Sequence, residues 1–265
     1  MPKKFTRATR AVLLSFLTAF TLAFVLALPA SAQQSQPTPK PAKKKLGSGS
    51  NFQQYAVRDA SNRLIAGGAT RAVGDEAVTV NQNAQKAFEE GKYDEAIAGF
   101  KRLTELKPTS AQAFYHLGVS YETAGRNDEA VNAYRKVLAL LDKAEMNDDT
   151  KSWMAMSYYN MGNVLSTTNQ PKEAIEAYKK VMALMPGEAV VYNNIGLAYA
   201  ASDQVDEAVG AFKKAIELDA KYAEAHFNLG LAYHYLGDKT GEAAEIKALE
   251  EINPELAAKL KAVKD

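Results

Sequence analysis

Three histidines, His116, His226 and His234, are the side chains of this sequence best suited to bind a metal or move a proton near neutral pH. His226 and His234 stand eight residues apart, about two helical turns, which is not the spacing of a two-histidine metal motif. Cysteine is absent, which removes disulfides, thiolate metal sites, thiol nucleophiles and the acylated cysteine of a lipoprotein. Gly67, Gly68 and Gly74 have neither the dinucleotide-binding nor the phosphate-loop spacing, and no lysine follows Gly74. No serine occupies a Gly-x-Ser-x-Gly elbow, since Gly47-Ser48-Gly49 lacks that spacing. Carboxylates are abundant, yet they fall at turns and on helix faces, where a solvated surface accounts for them better than paired acid and base. The sequence therefore yields no catalytic, cofactor-binding or metal-ligating residue; the expectation is a non-enzyme that needs no cofactor.

The elements that carry these residues begin after an address. With 47% apolar and 24% charged residues, the 265-residue chain has globular composition, enough for one or two domains. Its net charge of +1 hides a segregation: Lys3, Lys4, Arg7 and Arg10, then Lys40, Lys43, Lys44 and Lys45, leave −7 for residues 51–265. A net-acidic body has no footprint for phosphates, so no nucleic-acid partner is expected. Lys3, Lys4, Arg7 and Arg10 precede an apolar stretch, Ala11–Leu28, and then Pro29-Ala30-Ser31-Ala32. That order reads as a secretory signal, residues 1–32, cut after Ala32, and the alternative is an uncleaved membrane anchor. Residues 33–50, with Pro37, Pro39, Pro41 and Gly47-Ser48-Gly49-Ser50, form a disordered linker. Its Lys43-Lys44-Lys45 reads as a solvated tether, or as a contact for anionic lipid. Membrane contact is expected only through that linker or an uncleaved anchor. Residues 51–76 have two readings. Phe52, Tyr55, Ala56, Ala60 and Leu64 have helical spacing, so the segment is favoured as a capping helix ending near Gly67-Gly68; the alternative is two short strands about Asp59-Ala60-Ser61-Asn62.

The rest of the chain repeats with a period of 34 residues. Ala96, Ala130, Ala174 and Ala208 are each followed four residues later by Phe100, Tyr134, Tyr178 and Phe212. Upstream stand Phe114, Tyr158, Tyr192 and His226, then Leu117, Met161, Ile195 and Leu229, directly followed by Gly118, Gly162, Gly196 and Gly230. Spacings of three, four and seven are helical, so each unit is two amphipathic helices. Glycine and alanine leave no bulk where the two helices cross, and aromatics fill the space beside them. His226 stands in an aromatic column and so reads as packing. Gly91 and Gly125 supply positive φ in turns ahead of acids at a helix start, and Pro108, Pro186 and Pro254 mark the ends of second helices.

These columns resemble the tetratricopeptide repeat, whose pattern is aromatic, Leu-Gly, Tyr, then Ala, aromatic and Pro. The resemblance implies an all-α, right-handed superhelical solenoid of about five two-helix repeats: 77–110, 111–144, 155–188, 189–222 and 223–254. A C-terminal capping helix over 255–265 closes it, with Leu256, Leu260 and Val263 on one side. The end repeats depart from the pattern, with Val80, Asn83 and Ala84 in the first and Glu242 in place of alanine in the last, as capping requires. Ten extra residues separate the second and third repeats; Met146-Asn147-Asp148-Asp149 reads as a loop with Thr150 as cap. Trp153, the only tryptophan, is either packed under that loop or a binding hot spot.

In proteins of this resemblance the first helices line a concave groove, which implies a peptide-binding lining of Tyr115, Val119, Tyr159, Asn163, Asn193, Leu197, Phe227 and Leu231. Asn160, Asn194 and Asn228 recur beside them. Their amides suit a peptide backbone, the alternative being that such residues are common choices in these repeats. Related domains that hold acidic chaperone C-termini use basic groove residues, whereas the matching positions here are Asn81, Gln85, Tyr115, Met156, Tyr159, Val190 and Glu224. That activity is not expected. The implied function is an exported scaffold or adaptor, periplasmic or secreted, that binds a protein or peptide and supports a bacterial envelope complex. A self-assembling structural protein and an accessory subunit of an envelope enzyme are the alternatives.

Overall fold

The computed structural model describes residues 71–263, and within these every regular element is a helix. The expected signal (1–32), the linker (33–50) and residues 51–70 of the capping segment lie outside them. Eleven helices follow in order: α1 Arg71–Glu89, α2 Tyr93–Leu106, α3 Ala111–Thr123, α4 Asn127–Leu141, α5 Asp148–Thr167, α6 Pro171–Leu184, α7 Ala189–Ala201, α8 Val205–Leu218, α9 Ala223–Leu236, α10 Lys239–Ile252 and α11 Pro254–Lys261. Each helix packs on the one before it and the one after, giving five antiparallel pairs and a final cap. Consecutive first helices also touch, α3 with α5, α5 with α7 and α7 with α9, while no second helices meet to the same extent. The first helices therefore lie inside the curve of the stack, and their free sides form its concave face.

The turn within every pair uses the same backbone device. Gly91, Gly125 and Gly237 have φ of 75°, 73° and 74°, and Asn169 and Asp203 hold the same place with φ of 60° and 63°. In each, the next residue's N–H returns to a carbonyl of the first helix, from Lys92 to Ala87 at 2.8 Å through Asp238 to Tyr233 at 2.9 Å. This is the Schellman closure, and asparagine and aspartate can supply its left-handed residue where glycine is absent. Five such turns at matching places fix a common hairpin angle.

Glycine and aromatic columns meet as their spacing requires. A Cβ on Gly118, Gly162 or Gly196 would lie 2.6, 2.7 or 2.5 Å from the rings of Tyr134, Tyr178 or Phe212. The rings are fully buried and rest directly on the glycine backbone. In the first pair the small residues change sides: Ala84 holds the glycine position, and Gly99 on α2 gives way, since a Cβ there would lie 2.7 Å from that of Ala84. In the last pair Ile246 replaces the aromatic, and Leu260 of α11 takes the seat against Gly230.

The first described helix, α1, spans Arg71–Glu89 and so runs across residue 77, the expected junction between capping segment and first repeat. One boundary differs from the sequence expectation. Most of the ten-residue excess lengthens α5 at its start instead of forming a loop. Asn147 is the cap, its Oδ1 accepting the Thr150 N–H at 2.9 Å, and Thr150 is buried with its hydroxyl on the Glu145 carbonyl. An amide side chain ahead of the first turn satisfies the free N–H better than a threonine inside it.

Candidate functional site

Side chains of the concave face are tied across repeats by a polar ladder. Asn160 Nδ2 donates to the Tyr115 hydroxyl at 3.0 Å and to that of Tyr134 at 3.4 Å. One repeat on, Asn194 Nδ2 donates to the Tyr159 hydroxyl and to Asn163 Oδ1, both at 3.2 Å. Asn228 Nδ2 then donates to Asn193 Oδ1 at 2.9 Å. The asparagine following each groove column thus reaches back to the column residue of the preceding repeat. The Tyr178 hydroxyl adds a bond to Asn163 Oδ1 at 2.8 Å, joining the outer helix to the same row. Ordered partners for otherwise buried amides and hydroxyls hold the repeats in register.

Burial divides the eleven expected groove residues into two groups. Tyr115, Tyr159, Asn193, Phe227, Asn228 and Leu231 are buried, with Tyr115 only 2% exposed. Val119, Asn160, Asn163, Asn194 and Leu197 are half-buried and line the open surface. Phe227 and Leu231 require correction as groove residues: they pack with Leu249, Leu256 and Leu260 beneath α11, because the cap lies where the next first helix would stand. Tyr115, Tyr159 and Asn193 form the floor, held by the ladder. Burial pushes the Tyr159 phenol up to about 12, against the pull of Asn163 and Asn194, so it stays neutral. Trp153 is half-buried with its ring edge-on to Tyr115 at 5.2 Å, so the added turn of α5 braces the floor from one side.

Glu122 is the groove residue that the sequence reading misses. It stands three residues after Val119 and seven after Tyr115, on the same helical face, yet by type alone it joins the solvated carboxylates. Its Oε2 accepts the Tyr134 hydroxyl at 2.6 Å, and burial raises its carboxyl to about 7. The histidines take three different environments. His116 stacks on Phe100 with its Nε2 buried and unbonded, and burial lowers it to about 4, so it is neutral. His226 is more than packing: Nδ1 is hydrogen-bonded to Glu245 Oε2 at 2.6 Å, and Nε2 lies 3.1 Å from the Ala220 carbonyl. Both neighbours can accept a ring proton, and the Glu245 bond raises the imidazole pKa above its ordinary value, favouring the protonated ring. His234 Nδ1 meets Glu242 Oε1 at 2.9 Å, both buried, which explains a carboxylate in the alanine column. Among the described residues no three potential metal ligands come together, and no helix is long and apolar enough to cross a membrane.

Three tetratricopeptide-repeat profiles match the sequence, at residues 109–187, at 84–125 with 199–237, and at 223–256. The chain is a tetratricopeptide-repeat protein. Solved structures of the same fold include MamA residues 41 to the end from Desulfovibrio magneticus RS-1, at 25% identity and a TM-score of 0.62, covering 69% of this chain and 98% of that one. Another structure of MamA shares 25% identity with a TM-score of 0.60, covering 72% and 99%. YrrB, described as a tetratricopeptide-repeat protein with an unusual peptide-binding site, shares the fold at 24% identity and a TM-score of 0.59, covering 73% and 97%. No curated protein matches the sequence.

Proposed function

We propose that this tetratricopeptide-repeat protein is an exported adaptor that holds an extended peptide segment of a partner protein across the inner helices of its second to fourth repeats, in support of a bacterial envelope complex. The observation that carries the reading is the pre-ordered concave face. Val119, Asn163, Asn194 and Leu197 present apolar and amide groups over a floor whose tyrosines and asparagines are already fixed by mutual hydrogen bonds. A surface ordered before binding loses little side-chain freedom when a peptide arrives. The likeness to YrrB, a protein described by its peptide-binding site, agrees with this use of the fold. The basic and apolar order of residues 1–32 supports export.

The test is site-specific photocrosslinking in intact cells, with a photoreactive side chain at Val119, at Leu197 or at the exposed outer-helix position Glu176. The reading expects one partner polypeptide joined from 119 and 197 and absent from 176. Adducts containing only further copies of this chain would replace the adaptor with a self-assembling protein, and equal labelling from Glu176 would overturn the groove.

A further inference from the structure

Glu122 differs from the other carboxylates of this surface in what surrounds it. On its own helix stands Tyr115, in the floor; α4 contributes Tyr134, α5 contributes Tyr159 and Asn160, and α6 contributes Tyr178, all uncharged. The cations carried nearby are turned elsewhere: Lys101 of α2 and Arg126 of the α3–α4 turn lie over the Tyr121 ring, 5.7 and 4.8 Å from its centroid. Arg126 also pairs with Glu129. Among the described residues no lysine or arginine forms an ion pair with Glu122, and one neutral hydroxyl is its hydrogen-bond donor. A carboxylate has room for about four such bonds. Asn160 donates to the Tyr134 hydroxyl, which aims the tyrosine proton at Glu122 and leaves the second carboxylate oxygen without a partner.

We propose that Glu122, seated between Tyr134 and the Asn160–Tyr115 pair on the concave face, is the recognition point for a lysine or arginine side chain of the bound peptide. The inference rests on the groove reading above and adds the chemistry of the partner. Folding has already stripped water from this carboxylate, so an incoming cation meets it in a medium where their attraction is stronger than in bulk water. The amino-acid choices along the groove agree. Asn81, Gln85, Tyr115, Met156, Tyr159, Val190 and Glu224 give this surface no cation to repel a basic peptide. A divalent ion is a poorer occupant, since no second and third ligand accompany Glu122 among the described residues. A peptide lies along Val119 and Asn163 with its basic residue at Glu122.

A phage-displayed random peptide library panned on the chain lacking residues 1–32 tests the inference, with affinities of recovered peptides measured by fluorescence anisotropy. Recovered peptides should share a lysine or arginine, and Glu122→Gln should weaken them by roughly tenfold to a hundredfold. The glutamine carbonyl of that variant can still accept the Tyr134 hydroxyl, and unchanged circular dichroism confirms its fold. Affinity for the native chain should rise as pH is raised from about 5.5 to about 8.5, because the cation binds the ionised carboxylate, and the glutamine variant should lose that dependence. Peptides without basic residues that still compete at Val119 and Leu197, or affinity indifferent to Glu122→Gln, would overturn the proposal and leave the groove standing. Peptides unaffected by Val119→Asp and Leu197→Asp, or no recovered peptide, would overturn the groove reading itself.

Discussion

In the second to fourth repeats a tyrosine or phenylalanine of the outer helix lies on the glycine of the inner helix, whereas in the fifth Leu260, from a helix beyond the repeat, fills that seat. The middle repeats close their gaps with rigid rings and tie their inner helices with tyrosine and asparagine. The last repeat uses histidine–glutamate pairs: His226 with Glu245, and His234 with Glu242. A middle repeat has a neighbour on each side to bury its apolar faces. An end repeat has one, and must finish its surface with charge and a short amphipathic helix, as repeat arrays require. The candidate binding surface belongs to the middle, where the inner face stays open; at the end α11 covers Phe227 and Leu231.

The contrast can be broken most severely at a middle ring. Tyr178→Ala should cost about 3–5 kcal/mol in urea unfolding, because it empties a fully buried site and removes the hydroxyl bonded to Asn163. A cost below about 1 kcal/mol would show that neighbouring side chains collapse into the space. Next, Leu260→Ala should destabilise by about 2–5 kcal/mol. Native-state hydrogen exchange should confine the loss to α9, α10 and α11, since each repeat contacts only its neighbours; loss spread evenly to α3 would contradict that picture.

The sharpest test of the difference pairs two glycines. Gly162→Ala pushes a methyl into the Tyr178 ring, 2.7 Å away, and should cost about 1–3 kcal/mol. Gly230→Ala meets the flexible tip of Leu260 and should cost less than about 1 kcal/mol. Equal thermal shifts would mean that ring and leucine yield alike.

The smallest effect concerns pH. The Glu245 bond raises the His226 pKa above its ordinary 6.5. Below that value the ring is charged both folded and unfolded, and the clasp to Glu245 contributes in full. As pH rises through the folded value the second proton leaves and that contribution is lost. The melting temperature of the native chain, minus that of His226→Gln, should therefore fall with rising alkalinity; a difference that grows instead would reverse the assigned protonation. The comparison isolates His226 from Glu122 and His116, which titrate in both proteins.

Much of the fold was legible because its determinants are local and repeated. A glycine at 118, 162 and 196 with an aromatic sixteen residues on states a helix crossing three times, and each turn residue from Gly91 to Gly237 recurs at the same register. Even the use of Asn169 and Asp203 in left-handed turns could have been read from their alignment with Gly125. The candidate site was legible as a row of residues and not as their roles. Asn160, Asn194 and Asn228 stood out by period, yet periodicity is blind to whether an amide faces a ligand or the preceding repeat.

The sequence by itself determined the hairpins, their number and the seats of their glycines, because contacts within one repeat span few residues and leave a periodic trace. Tertiary structure alone decided which side of each inner helix remains open, because that depends on the neighbour packed against it. It seated Leu260 on Gly230, buried Phe227 and Leu231, bonded both ring nitrogens of His226 and desolvated Glu122. Burial and charge state are properties of the surroundings, and a residue's surroundings in a solenoid are set one repeat away.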